Sequence, residues 1–81
     1  PYFDIVEWAN DYLALYESEF SMPYKTGQDR TTGITTVILS DGEIGVAQCS
    51  PNDTFNDEVG EAIALARALG ADDEIPKEIF R

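Results

Sequence analysis

Histidine is absent from this chain, and that removes several chemistries at once. A Cys–His or Ser–His pair for nucleophilic attack cannot form within it, so Cys49 and Ser50 lack the base that would activate them. With one cysteine and no histidine, the usual ligand set for zinc or copper is missing too, and no metal or other cofactor is expected. The lone Cys49 also excludes an internal disulfide and points to a reducing compartment. Bases are scarce: Lys25, Arg30, Arg67, Lys77 and Arg81 stand scattered against sixteen acids, for a formal net charge of −11. Gripping phosphates takes clustered Lys and Arg, so neither direct nucleic-acid binding nor attachment to an anionic membrane is expected. No apolar run approaches the roughly 20 residues that span a bilayer. The first residues carry Asp4 and Glu7 where a secretory signal would carry bases, so the expected location is the cytoplasm.

What is present suits one domain over residues 1–81. The composition is 43% hydrophobic with four Tyr, four Phe and one Trp, enough for one modest core. Residues 3–19 place Ile5, Trp8, Ala9, Tyr12, Leu13 and Tyr16 at helical spacing, with Phe20 next in the series. Asp4 stands where a helix cap belongs. Residues 21–26 read as a short edge strand, since proline is tolerated there and not in a central strand; a loop follows to residue 33. The runs "ITTVILS" and "EIGVAQC" over 34–49 flank Asp41-Gly42, the pair favoured in a two-residue type I′ hairpin turn.

That turn sets Leu39 opposite Ile44 and Val37 opposite Val46. Alternation then puts Val37, Leu39, Ile44, Val46 and Gln48 on one face, and Thr36, Ile38, Gly45 and Ala47 on a second, thinly covered one. A second helix over 56–69 has Val59, Ala62, Ile63, Ala66 and Leu69 as its buried stripe and Gly70 as its C-terminal cap. Gly60 within it costs about 1 kcal/mol relative to Ala, which predicts close approach to a neighbouring backbone. In the tail over 70–81, Ile75, Ile79 and Phe80 are placed to pack back onto the domain. The order predicts an α+β two-layer sandwich, a small antiparallel sheet with two helices on one face.

The α-β-β-β-α order is also that of the double-stranded-RNA-binding domain. Residues 44–70 carry a narrower likeness: a strand ending G-x-A-x-C (Gly45, Ala47, Cys49), a turn Pro51-x-Asp53-x-Phe55, and a helix with Gly60 and Ala64-x-x-Arg67-Ala68. This stretch, about a third of the chain, resembles small uncharacterised proteins of bacteria and their phages. The resemblance implies a fold of the RNA-binding-domain type, a phage or prophage origin and a bacterial host cytoplasm. It brings no catalytic residues. Members of the RNA-binding family carry lysines at the head of the second helix. Here that place reads Asp57, Glu58 and Glu61, so the charge is inverted and RNA binding does not carry over.

No residue cluster points to an enzyme. The segments "SDGEIG" and "SPNDTFNDE" lack the spacing of a calcium loop, no glycine-rich phosphate loop is present, and a small two-layer domain offers little concavity for paired carboxylates. The acids remain. Asp41 and Glu43 mark the hairpin tip, and Asp53, Asp57, Glu58 and Glu61 the approach to and head of the second helix. These six are the candidate partner-binding residues, with Tyr24 or Phe80 as aromatic anchors. The expected function is a phage-type protein that binds and inhibits a nucleic-acid-processing or host-defence protein, imitating a nucleic-acid backbone on its basic surface. The alternative is a structural or assembly module that self-associates through the thin hairpin face around Thr36, Ile38 and Ala47. The first predicts a monomer and the second a homodimer.

Overall fold

The computed structural model describes residues 4–20, 22–49 and 56–77. Within them the order is α1 (Ile5–Glu19), β1 (Tyr24–Asp29), β2 (Ile34–Leu39), β3 (Ile44–Gln48), α2 (Asp57–Ala68) and a short 3₁₀ turn at Asp72–Glu74. The strands form one antiparallel sheet in the order β1-β2-β3, and both helices pack on one side of it. This is the expected α+β sandwich. The expected turn through Pro51, Asp53 and Phe55 and the packing of Ile79 and Phe80 lie outside the described residues.

Local chemistry sets the helix ends. Asp4 accepts from the Val6 and Glu7 amides (3.0 and 3.1 Å), closing the first turn of α1. Asn56 does the same for α2 through the Val59 amide (2.9 Å), and Asp57 and Glu58 follow where the helix dipole favours negative charge. The strand β1 begins just after Pro23 and runs on to Asp29, through residues that read as loop from sequence. Being an edge strand, it needs pairing on one side only, and β2 supplies it.

The β2–β3 register corrects the sequence reading. Thr35 pairs with Ala47 and Val37 with Gly45, one residue away from the expected pairing. The Leu39 amide donates to the Glu43 carbonyl (2.8 Å) and the Gly42 amide to the Leu39 carbonyl (3.0 Å). Three residues, Ser40 to Gly42, therefore close the hairpin, with Gly42 alone at positive φ (93°) and Asp41 not left-handed. A type I′ turn needs both central residues left-handed, whereas a three-residue loop with a glycine bulge needs one. Since side chains alternate, the shift moves all of β3 to the other face. Gly45 and Ala47 face the helices, while Ile44, Val46 and Gln48 face away with Ile38.

Packing explains why this register holds. A Cβ on Gly45 would lie 1.9 Å from the Ala64 carbonyl oxygen and 2.4 Å from the Ala68 amide, so the end of α2 rests directly on β3. Gly60 also marks a close approach, but to a side chain: a Cβ there would lie 2.5 Å from Thr35 Oγ1. The core joins Val37, Leu39 and Ala47 to Ala64, Leu65, Ala68 and Ile75, with Tyr16 entering from α1. α2 buries Ala62 through Ala66 and Ala68, a wider surface than the expected stripe, because the sheet covers one side and α1 another. Arg67 turns onto the β3 edge and donates to the Val46 carbonyl (2.7 Å).

Candidate functional site

Five of the six acids singled out from sequence lie among the described residues, and they fall in two places. Thr35 sits beneath Gly60 in the first turn of α2, and Gly45 beneath Ala64 and Ala68 near its end. The hairpin tip with Asp41 and Glu43 therefore lies at the end of the sheet where α2 finishes. Asp57, Glu58 and Glu61 lie at the other end, about 20 Å away at the ordinary rise of a six-residue strand. Asp53 is outside the described residues. At the α2 head, Asp57 is paired with Arg30 of the β1–β2 turn (3.0 Å), and Glu61 accepts a hydrogen bond from the Tyr24 hydroxyl. Glu58 is exposed.

The helical side holds further acids. Glu7, Asp11, Glu17 and Glu19 are exposed along α1, and Asp72, Asp73 and Glu74 form the 3₁₀ turn. The outward side of the sheet is different. Its rows read Lys25–Ile38–Ile44, Gly27–Thr36–Val46 and Asp29–Ile34–Gln48, so these strand rows carry one base and one acid. Ile44, Val46 and Ile38 are 58, 44 and 40% exposed there. Ala47, expected on this surface, is buried beneath α2.

Aromatic residues order the helical side. Tyr16 is buried, donates from its hydroxyl to the Met22 carbonyl (3.0 Å), and stacks on Phe20 with centroids 5.1 Å apart. Phe20 remains 51% exposed. A shallow groove of about 460 Å³ borders this stack, lined also by Leu13, Glu17, Met22, Tyr24 and Glu61. A second, of about 480 Å³, borders it too, lined also by Tyr12, Glu19, Leu69 and Glu74. Tyr24 is half-buried and donates to Glu61. Tyr12 is likewise half-buried and donates to Glu74 (2.9 Å).

Both phenols are held well above the usual tyrosine range. For Tyr24 the causes are burial, then the hydrogen bond to Glu61, then the negative charge of Glu61 and the neighbouring Tyr16 and Glu17. For Tyr12 they are burial, then the bond to Glu74 and the charges of Glu74 and Asp73. Each hydroxyl thus stays a donor and fixes one carboxylate at the groove wall. Sequence reading missed these grooves, since Glu17, Tyr24 and Glu61 share no local pattern. The nearest signal was the aromatic series of α1, which ends on Phe20 outside the core.

Cys49 is half-buried, with its amide on the Gly33 carbonyl (2.7 Å) at the open end of the β2–β3 hairpin. Among the described residues no group of three acids or cysteines is placed to hold a metal ion, and no helix is long and apolar enough to cross a membrane.

In shape the molecule is an α+β two-layer sandwich with the element order of the double-stranded-RNA-binding domain. Comparison with models of protein families, with curated proteins and with solved structures finds no match.

Proposed function

We propose that the chain is a small acidic binding protein of phage type. It docks its helical side on the basic, nucleic-acid-binding surface of a bacterial nucleic-acid-processing or host-defence protein, and inhibits by occupying that surface. The observation that carries this reading is the gathering of carboxylates around one exposed aromatic. Glu17, Glu19, Glu61 and Glu74 surround the Tyr16–Phe20 stack, and Glu7, Asp11 and Glu58 extend the acidic surface. A central aromatic anchor with a charged surround suits a protein interface, and the field of such a surface speeds encounter with a basic partner. With the hairpin tip at the far end of the sheet, the α2 head and α1 supply the contact.

Capture from bacterial lysate, with elution by a salt gradient, tests it. Enrichment of one nucleic-acid-processing protein, released by moderate salt and displaced by that protein's own nucleic acid, is the expected result. Weakening by Glu17→Lys with Glu58→Lys would place the contact on the helical side. Retention of nothing, or of proteins indifferent to salt and to nucleic acid, rejects the reading.

One observation favours a second reading, self-association. The outward side of the sheet exposes Ile38, Ile44 and Val46 next to one another, and contiguous exposed apolar surface marks an interaction site. Sedimentation of the wild type beside Ile44→Lys separates the two: a dimer lost in the variant supports self-association.

A further inference from the structure

We propose that the two grooves flanking the Tyr16–Phe20 stack are sites for guanidinium groups, each receiving one arginine side chain presented by the partner. This deepens the proposed function and rests on it for the source of the arginines.

The two grooves repeat one arrangement. Tyr16 and Phe20 line both; Tyr16 is buried and covers one face of the Phe20 ring, so the half-exposed Phe20 is the aromatic surface that each groove borders. Each has two carboxylates and no base in its lining, Glu17 with Glu61 on one side and Glu19 with Glu74 on the other. In each, a tyrosine hydroxyl holds one of those carboxylates in place, Tyr24 on Glu61 and Tyr12 on Glu74. A carboxylate has about four acceptor positions on its two oxygens, so one phenol leaves capacity for a ligand and removes much of the rotamer freedom that binding would otherwise cost.

Charge and shape together select the occupant. An anion would share the groove with two carboxylates and be repelled. A purely apolar side chain would strip water from both carboxylates without replacing it. A cation matches the charge, and of the two long cationic side chains the guanidinium fits the remaining features. Its plane stacks on an aromatic face, and its fork of donors meets a carboxylate with two parallel bonds. A lysine ammonium offers the charge without the plane or the fork.

The test uses the isolated protein and a small probe, so it stands apart from partner capture. Amide correlation spectra are followed during titration with N-acetyl-arginine methylamide at low ionic strength. The neutral citrulline analogue and the lysine analogue serve as comparisons. Saturable shifts centred on Tyr12, Tyr16, Phe20 and Tyr24 are expected with the arginine probe, in the millimolar range of a single exposed cation site, and none with citrulline. Lysine, without the planar ring contact, should bind about twofold to fivefold more weakly. Glu61→Gln, which keeps an acceptor for Tyr24, should weaken only the groove beside Tyr24. Phe20→Ala, at an exposed position, should weaken both.

Equal response to arginine and lysine, or shifts spread evenly over the acidic surface, would overturn the proposal, as would a failure to saturate. Arginine binding combined with no captured partner would keep the grooves and reject the proposed function. Capture of a basic partner whose affinity ignores Phe20→Ala and Glu61→Gln would do the reverse.

Discussion

Thr35 shows how much one side chain decides here. It is 1% exposed, and its hydroxyl oxygen has no hydrogen-bond partner among the described residues. A buried hydroxyl left unpaired costs about 1–3 kcal/mol, and valine has the same branched outline without it. Thr35→Val is therefore expected to raise stability by about 1 kcal/mol in urea denaturation; a loss of that size would mean the hydroxyl is donating to a neighbour. Two glycines make the opposite pair. A methyl at Gly45 meets helix backbone at 1.9 Å, which no side-chain rearrangement relieves, whereas a methyl at Gly27 meets nothing within 4 Å. Gly45→Ala should cost about 3 kcal/mol or prevent folding, since overpacking against fixed backbone lies at the upper end of such effects. Gly27→Ala should be close to neutral. A tolerated Gly45→Ala would show that α2 can lift off the sheet.

At the scale of elements, two tyrosines tie distant parts of the chain together. Tyr12 joins α1 to the 3₁₀ turn through Glu74, and Tyr24 joins β1 to α2 through Glu61. Both phenols are raised in the folded state, while in the unfolded chain tyrosine ionises near pH 10. Below that pH both states hold the proton and the stabilisation is fully present. Above it the unfolded state loses protons that the folded state retains, so stability falls as pH rises toward the folded values. The urea midpoint should drop from about pH 10 upward, and Tyr12→Phe with Tyr24→Phe should flatten the drop. An unchanged slope in the double variant would assign alkaline sensitivity to other groups.

The elements were largely legible in the sequence, because capping residues and periodicity act locally: Asp4, the acids of the α2 head and Gly70 marked the helix ends. The face of β3 was not legible. Asp41-Gly42 fits both a two-residue and a three-residue turn, and the choice rests on Gly45 lying under Ala64 and Ala68, a contact between segments far apart in the chain. The grooves were hidden for the same reason, since tertiary packing alone brings Tyr24 to Glu61.

The whole molecule is a slab, 33 × 32 × 17 Å, with unlike sides. One carries the helices and many carboxylates, and the other a sheet face whose two charges cancel. That asymmetry makes salt a diagnostic of which side is used. Helical-side docking on a basic partner is attraction between opposite charges, and added salt weakens it. Face-to-face pairing of two sheets brings together two chains of net charge −11, so screening their repulsion strengthens it. A two-fold axis running across the strands would also set Lys25 of each copy over Asp29 of the other. Three strands of five or six residues cover only roughly 14 by 18 Å, far short of a standard interface, so such a dimer is weak and concentration-dependent. Sedimentation across a salt series should show any self-association of the wild type growing with salt and vanishing in Ile44→Lys. Partner binding should fall over the same series while the fold itself gains stability, because screening relieves repulsion within the chain. Loss of a partner at high salt would then report a broken charge contact on an intact protein. A partner held equally at low and high salt would move the contact from the carboxylates to the isoleucines of the sheet.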